Sequence, residues 1–200
     1  MRVSRPGEPP GYRYQHGLRT ARIAAELALS EHLAHTVDLE ALHFACLLHD
    51  IGKVHELPGE DHGEAGARIA DTILEDHIDT DRRKMIRSCI MWHNKREDAP
   101  QTLPQEGRLL QDADLLDHFG AIEVWLIQYR VARHNGGIAE AVQEYRSARN
   151  WRRYALSSAY FPRTSARLRD RMCVAARYFF TLEKEAGIPD TRLAEGEYPG

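Results

Sequence analysis

Residues 38–53 read Asp38-Leu39-Glu40-Ala41-Leu42-His43-Phe44-Ala45-Cys46-Leu47-Leu48-His49-Asp50-Ile51-Gly52-Lys53. Asp38 has the short acceptor side chain of a helix N-cap. Leu39, Leu42, Phe44, Ala45, Leu47 and Leu48 cover most sides of a helix, which predicts a buried helix running to about Asp50. Gly52 ends it. An ionised carboxylate taken from water costs several kcal/mol unless it is paired or bound to a cation, so Asp50 needs compensation. Successive helical residues point about 100° apart. The side chains of His49 and Asp50 therefore converge on one point most readily where the helix stops. A divalent metal satisfies both. The alternative is that Asp50 caps a neighbouring helix and His49 packs in the core; the pair by itself leaves that reading open.

Outward from this segment the periodicity stays helical. Tyr14, Leu18, Ala21, Ala25 and Ala28 form a stripe over residues 14–30. Asp61, with Glu64 after it, opens a helix over 62–77. Further helices are expected over 80–93, 105–133 and 138–150, with Asn135-Gly136-Gly137 as a break and a less regular Trp/Tyr/Pro stretch up to Pro162. A last helix, capped by Thr164 or Ser165, carries Leu168, Met172, Ala175, Phe179 and Leu182 on one stripe and stops at Gly187 and Pro189. No strand pattern of useful length and no repeat is present. The expected fold is all-α: a single helical bundle domain of six to eight helices. Residues 1–11 would be an extended lead-in, 12–135 the core, 136–187 C-terminal helices packed on it, and 188–200 a tail.

Composition narrows the function classes. Net charge is −3, so the molecule as a whole is not a polyanion binder by bulk electrostatics. No apolar run approaches the ~20 residues of a membrane span, and residues 1–10 lack the apolar stretch of a secretory signal. Cys46, Cys89 and Cys173 occur singly within apolar helical stretches, which predicts buried free thiols in a reducing, cytoplasmic setting. The unusual total is 11 histidines.

Their positions matter more than their number. His16 lies in the first turn of the first helix, His62 opens a helix, and His93 closes one. On Tyr14-Gln15-His16-Gly17, Leu47-Leu48-His49-Asp50-Ile51-Gly52-Lys53 and Asp112-Ala113-Asp114-Leu115-Leu116-Asp117, the chain resembles the HD superfamily of metal-dependent phosphohydrolases. The resemblance covers about residues 12–125. It implies that His16, His49, Asp50 and Asp114 ligate one metal. Asp112 competes for the distal role, and Asp114 is preferred because it directly follows Ala113. Asp117, one turn on, is a supporting residue. His62 and His93 resemble the two further histidines of subfamilies that bind two metals bridged by the Asp. Four His and two Asp suit Fe, Mn, Co, Ni or Mg, one or two ions per chain, and lack the thiolates of a structural zinc site. His32, His35, His43, His55, His77, His118 and His134 are expected to be surface or packing residues, although His118 shares a helix face with Asp114.

The function implied by the resemblance is hydrolysis of a nucleotide or other small phosphate ester by a metal-activated water, with Asp50, Lys53 and Asp117 as catalytic residues. Lys53 either neutralises a substrate phosphate or is a solvated loop lysine; Asn94, Lys95 and Arg96 offer the same choice. Between Tyr145 and Phe180 lie nine arginines and one acid, Asp170, with Trp151, Tyr154, Tyr160 and Phe161 interleaved. That pattern reads either as a solvated face with aromatic anchors or as a phosphate- and base-binding surface. Because net charge is slightly negative, a nucleotide fits better than a long nucleic acid. Two other functions fit the same residues: a diiron oxygenase cleaving a C–C or C–P bond, and a non-catalytic binding module. The Leu168–Leu182 stripe could also serve a homodimer.

Overall fold

A computed structural model of the chain describes residues 8–55 and 59–189, without the side chain of His55. Every regular element among the described residues is an α-helix: α1 (Tyr12–Ser30), α2 (Leu39–Leu48), α3 (Gly52–His55), α4 (His62–Leu74), α5 (Thr80–Trp92), α6 (Gln105–Asp117), α7 (Ala121–Arg133), α8 (Ile138–Ser147), α9 (Arg149–Ser158) and α10 (Pro162–Glu185). The protein is all-α. Three segments appear beyond those read from the periodicity. α3 is a single turn. The 105–133 stretch divides into α6 and α7 at Gly120, whose φ of 82° breaks the helix. The Trp/Tyr-rich stretch before Pro162 is helical, as α9. Pro162 starts α10, where its missing N–H costs nothing.

The helices gather in two compact units, Met1–His118 with Ser157–Arg167, and Phe119–Leu156 with Leu168–Gly200. In the first, α2 lies against α1, α5 and α6, while α4 packs on α3 and α5. Ile23, Leu27, Leu42, Cys46, Ile86, Ile90, Leu109, Leu110 and Leu116 fill its interior. In the second, Ile127, Val131, Ala141, Val142 and Phe179 form the core, with Tyr145 stacked on Phe179 at 4.3 Å. Many arginines of the C-terminal stretch are committed to acids: Arg146 to Glu183 and Arg152 to Glu123 in the second unit, and Arg167 to Glu26 in the first.

Asp38 caps α2 as expected, accepting from Glu40 N at 3.1 Å and Ala41 N at 3.0 Å, and it holds Arg82 Nε at 2.5 Å. Its burial raises the carboxyl pKa, but these donors outweigh that and hold it below the ordinary 3.8. The stabilisation is therefore complete above that value and fades as pH falls through the lower folded-state pKa. Asp38→Ala should cost about 1 kcal/mol at neutral pH. Urea midpoints of wild type and variant should draw together toward pH 3.

Three local expectations change. On α1 the expected stripe points partly outward: Tyr14 is 59% and Leu18 37% exposed, and Ala25 is exposed. The buried face instead carries His16, Gly17, Thr20, Ile23, Ala24 and Leu27. Polar and small residues occupy the core side there because α1 faces the histidine cluster and the close-packed α2. On α2, Leu39 is exposed, and burial is concentrated on Ala41, Leu42, Ala45 and Cys46. Cys46 and Cys89 are buried, whereas Cys173 is exposed, because α10 buries the stripe of Leu168, Ala175 and Phe179 instead.

Candidate metal centre

Five elements aim side chains at one place. His16 comes from the first turns of α1; His49 is the C-cap of α2, with Asp50 directly after it; His62 is the first residue of α4; His93 is the C-cap of α5; Asp114 lies in the last turn of α6. His16, His49, Asp50 and His93 are buried. His16 Nε2 lies 3.0 Å from Asp114 Oδ1 and 3.6 Å from Asp50 Oδ2. His49 Nε2 lies 3.6 Å from Asp114 Oδ1 and 3.7 Å from Asp50 Oδ1, and His93 Nε2 lies 3.5 Å from Asp50 Oδ1. Asp50, sheltered and surrounded by histidines remote in sequence, answers the requirement that burial placed on it.

The ring orientations are set from behind. His49 Nδ1 donates to Cys46 O at 2.8 Å, His93 Nδ1 to Ile90 O at 2.6 Å, and His16 Nδ1 to Asp117 Oδ2 at 2.7 Å. With each Nδ1–H committed, Nε2 is left with its lone pair. His16 Nε2 and His49 Nε2 then face each other across 3.1 Å. Two lone pairs at that distance repel unless a proton or cation lies between them. Two nitrogens bound to one metal at ~2.1 Å would stand about 3.0–3.4 Å apart, from right-angle to tetrahedral bonding. His62 Nε2 and His93 Nε2 are buried without a hydrogen-bond partner. The residues fit divalent ions. Two donor sets, His16/His49/Asp50 and Asp50/His62/His93, each hold their ligand atoms within 4.8 Å of one another and share Asp50.

Charge is finely opposed here. Burial resists a protonated His16, but its hydrogen bonds to Asp114 and Asp117 prevail and lift it to about 9. Burial pushes His49 down. Burial, His93 and Lys53 together take His62 to about 4. Burial would raise Asp50, yet His49, His93 and Lys53 hold it well below the ordinary carboxylate range. Two cations also sit on that carboxylate: Arg13, through Oδ2, and Lys53, whose Nζ is 2.7 Å from Oδ1.

Glycines let the helices come this close. A Cβ on Gly52 would stand 2.0 Å from His62 O and 2.6 Å from Gly66 N. Both obstacles are backbone, so α4 would have to move. One on Gly63 would meet Met91 O at 2.8 Å. Gly52→Ala should therefore destabilise the fold by about 3 kcal/mol, the upper end of ordinary overpacking, and displace His62. Urea denaturation with a crystal structure of the variant checks both.

The remaining sequence candidates divide. Asp117 is buried behind His16 and is also held by Arg19 Nε at 2.8 Å. Asp112 is wholly buried away from the histidines, accepting from Arg96 Nη1 at 2.7 Å, Tyr160 N at 3.0 Å and Phe161 N at 3.1 Å. Arg96 is thereby occupied, and its guanidinium lies 4.6 Å from the Tyr160 ring centre. Lys95 pairs with Glu64 at 2.7 Å and Asp61 at 3.3 Å, and Asn94 Nδ2 donates to Asp61 at 2.7 Å, tying the start of α4 to the end of α5. His32, His35, His43, His77 and His134 are exposed, as expected. Sequence reasoning passed over Arg13 and Arg19, and it set His118 aside as a surface or packing residue although it shares a helix face with Asp114. The two arginines stand three residues either side of His16, on its own helix face, and that spacing was the available signal.

The HD domain family model matches residues 13–118, just over half the chain. No curated protein matches it by sequence. Among solved structures, a predicted HD-superfamily hydrolase from an uncultured Thermotogales bacterium is 25% identical, with 86% of this chain and 79% of that one covered and a TM-score of 0.58. An HD-superfamily hydrolase from Bacillus thuringiensis is 18% identical, with 92% and 91% covered and a TM-score of 0.66. Bacillus subtilis YpgQ, solved in complex with ADP, is 20% identical, with 86% and 85% covered and a TM-score of 0.64. The latter two speak to the fold alone. The matched segment runs from the residue after Tyr12 to the residue after Asp117 and so holds every side chain of the histidine–aspartate cluster: the chain belongs to the HD domain family.

Proposed function

We propose that this protein is a metal-dependent phosphohydrolase acting on a nucleotide or another small phosphate ester. His16, His49, Asp50 and Asp114 hold one divalent ion, and Asp50, His62 and His93 a second. The observation that carries the reading is the meeting of six donor side chains from five elements, with Nε2 of His62 and of His93 buried and without a hydrogen-bond partner. A bound divalent ion supplies there a water acidified toward neutrality and charge to match phosphoryl oxygens. The chain's own residues do the rest. Asp117 keeps the His16 proton on Nδ1. The backbone carbonyls of Cys46 and Ile90 do the same for His49 and His93. Lys53 and Arg13, beside Asp50, place positive charge where a substrate phosphate would lie. ADP in the YpgQ complex, a protein of the same fold, supports a nucleotide as substrate.

The test is elemental analysis of freshly purified protein, then a panel of nucleotides and simple phosphate esters with Mn, Co, Ni, Fe and Mg. Hydrolysis that disappears on chelation and returns with metal is the expected result. Undiminished hydrolysis by metal-stripped protein would end the reading. Two irons per chain with a mixed-valent paramagnetic signal and no hydrolysis would replace it with an oxygenase. Within the reading, Lys53→Ala should raise KM about 10-fold, the worth of one charge-assisted hydrogen bond, without lowering metal content.

A further inference from the structure

We propose that His118 is an additional protein ligand of the ion held by His16 and Asp114; the inference rests on the metal-centre reading above. α6 ends at Asp117, and His118 is its C-cap, with its backbone N–H turned to Leu115 O and Leu116 O. The Asp114 carbonyl, at the end of the helix, accepts instead from the His118 ring, Nδ1 to O at 2.8 Å. The same device occurs twice more in the centre. His49 caps α2 and donates Nδ1–H to Cys46 O; His93 caps α5 and donates Nδ1–H to Ile90 O. Each time a helix-ending histidine spends Nδ1 on a carbonyl of its own last turn, which fixes the ring and leaves Nε2 as the nitrogen able to take a cation. His118 repeats the pattern of the two other capping histidines.

Its position agrees. The His118 ring centre lies 5.2 Å from that of His16, edge to face at 73°. His16 to His49, His49 to His93 and His93 to His62 are each 5.0 Å. Five rings thus form one row, with His118 at the end opposite His62. One ring nitrogen of His118 lies within 4.8 Å of ligand atoms of His16 and Asp114, and its Nδ1 stands 3.6 Å from Asp114 Oδ1. His118 is 35% exposed at its side chain, so solvent reaches this end of the row. His16 can offer a metal only Nε2, which already faces His49, so His118 does not build a separate ion site but joins the ion at His16. An added imidazole favours Fe, Co or Ni over Mg, which prefers oxygen donors and water.

Metal-free full-length protein is titrated with Co²⁺, followed by calorimetry and by the visible d–d absorption. His118→Ala should bind Co²⁺ at least about 10-fold more weakly and with an altered visible spectrum, while its far-UV circular dichroism is unchanged. His118→Cys should add a thiolate-to-cobalt charge-transfer band in the near ultraviolet. Wild type, which already carries Cys46, Cys89 and Cys173, is its baseline. Wild-type affinity and spectrum in a folded His118→Ala would overturn the inference, leaving His118 a helix cap. If His118→Ala does not fold, the cysteine variant decides: the band supports the inference and its absence overturns it. Asp50→Asn is the control for the site as a whole. If it too binds like wild type, the metal-centre reading fails; if it loses Co²⁺ while His118→Ala does not, only the His118 inference fails.

Discussion

Asp50→Asn should weaken divalent-ion binding by more than about 100-fold, with phosphate-ester hydrolysis lost in step. Outer partners of metal ligands are worth about 10–100-fold, and Asp50 is the carboxylate common to both donor sets. The substitution keeps volume but takes the carboxylate from Arg13 and Lys53, so it also costs stability, and metal affinity is compared on protein whose fold is retained. The four neighbouring histidines and the two cations, Arg13 and Lys53, would then face a neutral amide. Calorimetric titration of chelator-treated protein, with circular dichroism on the same sample, measures both halves. Wild-type metal affinity in a folded Asp50→Asn protein would remove the basis of the functional reading.

Asp112→Ala should lower folding stability by about 3–5 kcal/mol, the usual cost of breaking a buried ion pair from one side. The variant leaves the Arg96 guanidinium, which also donates to Ser158 O at 2.7 Å, without its carboxylate. It also strips the Tyr160 and Phe161 amides of their acceptor just ahead of Pro162, where the chain turns into α10. Urea unfolding of the metal-free protein gives the magnitude. The same variant, where it remains folded, should bind metal like wild type, whereas Asp114→Ala should not. The pair of variants therefore separates the two aspartates that compete for the distal position; a metal-binding loss confined to Asp112→Ala would reverse their roles.

The helices were legible because their determinants are local. Asp38 and Asp61 cap α2 and α4 as their side chains and spacing require, accepting from Ala41 N at 3.0 Å and Gly63 N at 2.9 Å. The α10 stripe of Leu168, Ala175 and Phe179 is fully buried. Asp50 was legible for an energetic reason: a carboxylate in an apolar segment must meet positive charge. Errors arose where a local rule was applied to a residue with a distant partner. The α1 face was misread because a buried polar face looks solvent-facing until the side chains it meets are known. The long 105–133 helix was drawn through Gly120 because its apolar periodicity continues on both sides.

Cap chemistry, apolar periodicity and the cost of an unpaired carboxylate act over a few residues, so the helical class, the α2 terminus and the demand for a cation at Asp50 are written in the order of amino acids. The different surroundings of Asp112 and Asp114 were decided by folding, because both lie on α6 and only long-range packing sends one to Arg96 and the other to His16. The close seating of α4 against Gly52, and the arrival of Arg13, Arg19 and His118 at the cluster, depend on helix crossings. Those follow from how whole surfaces fit, a property that no short stretch of chain contains.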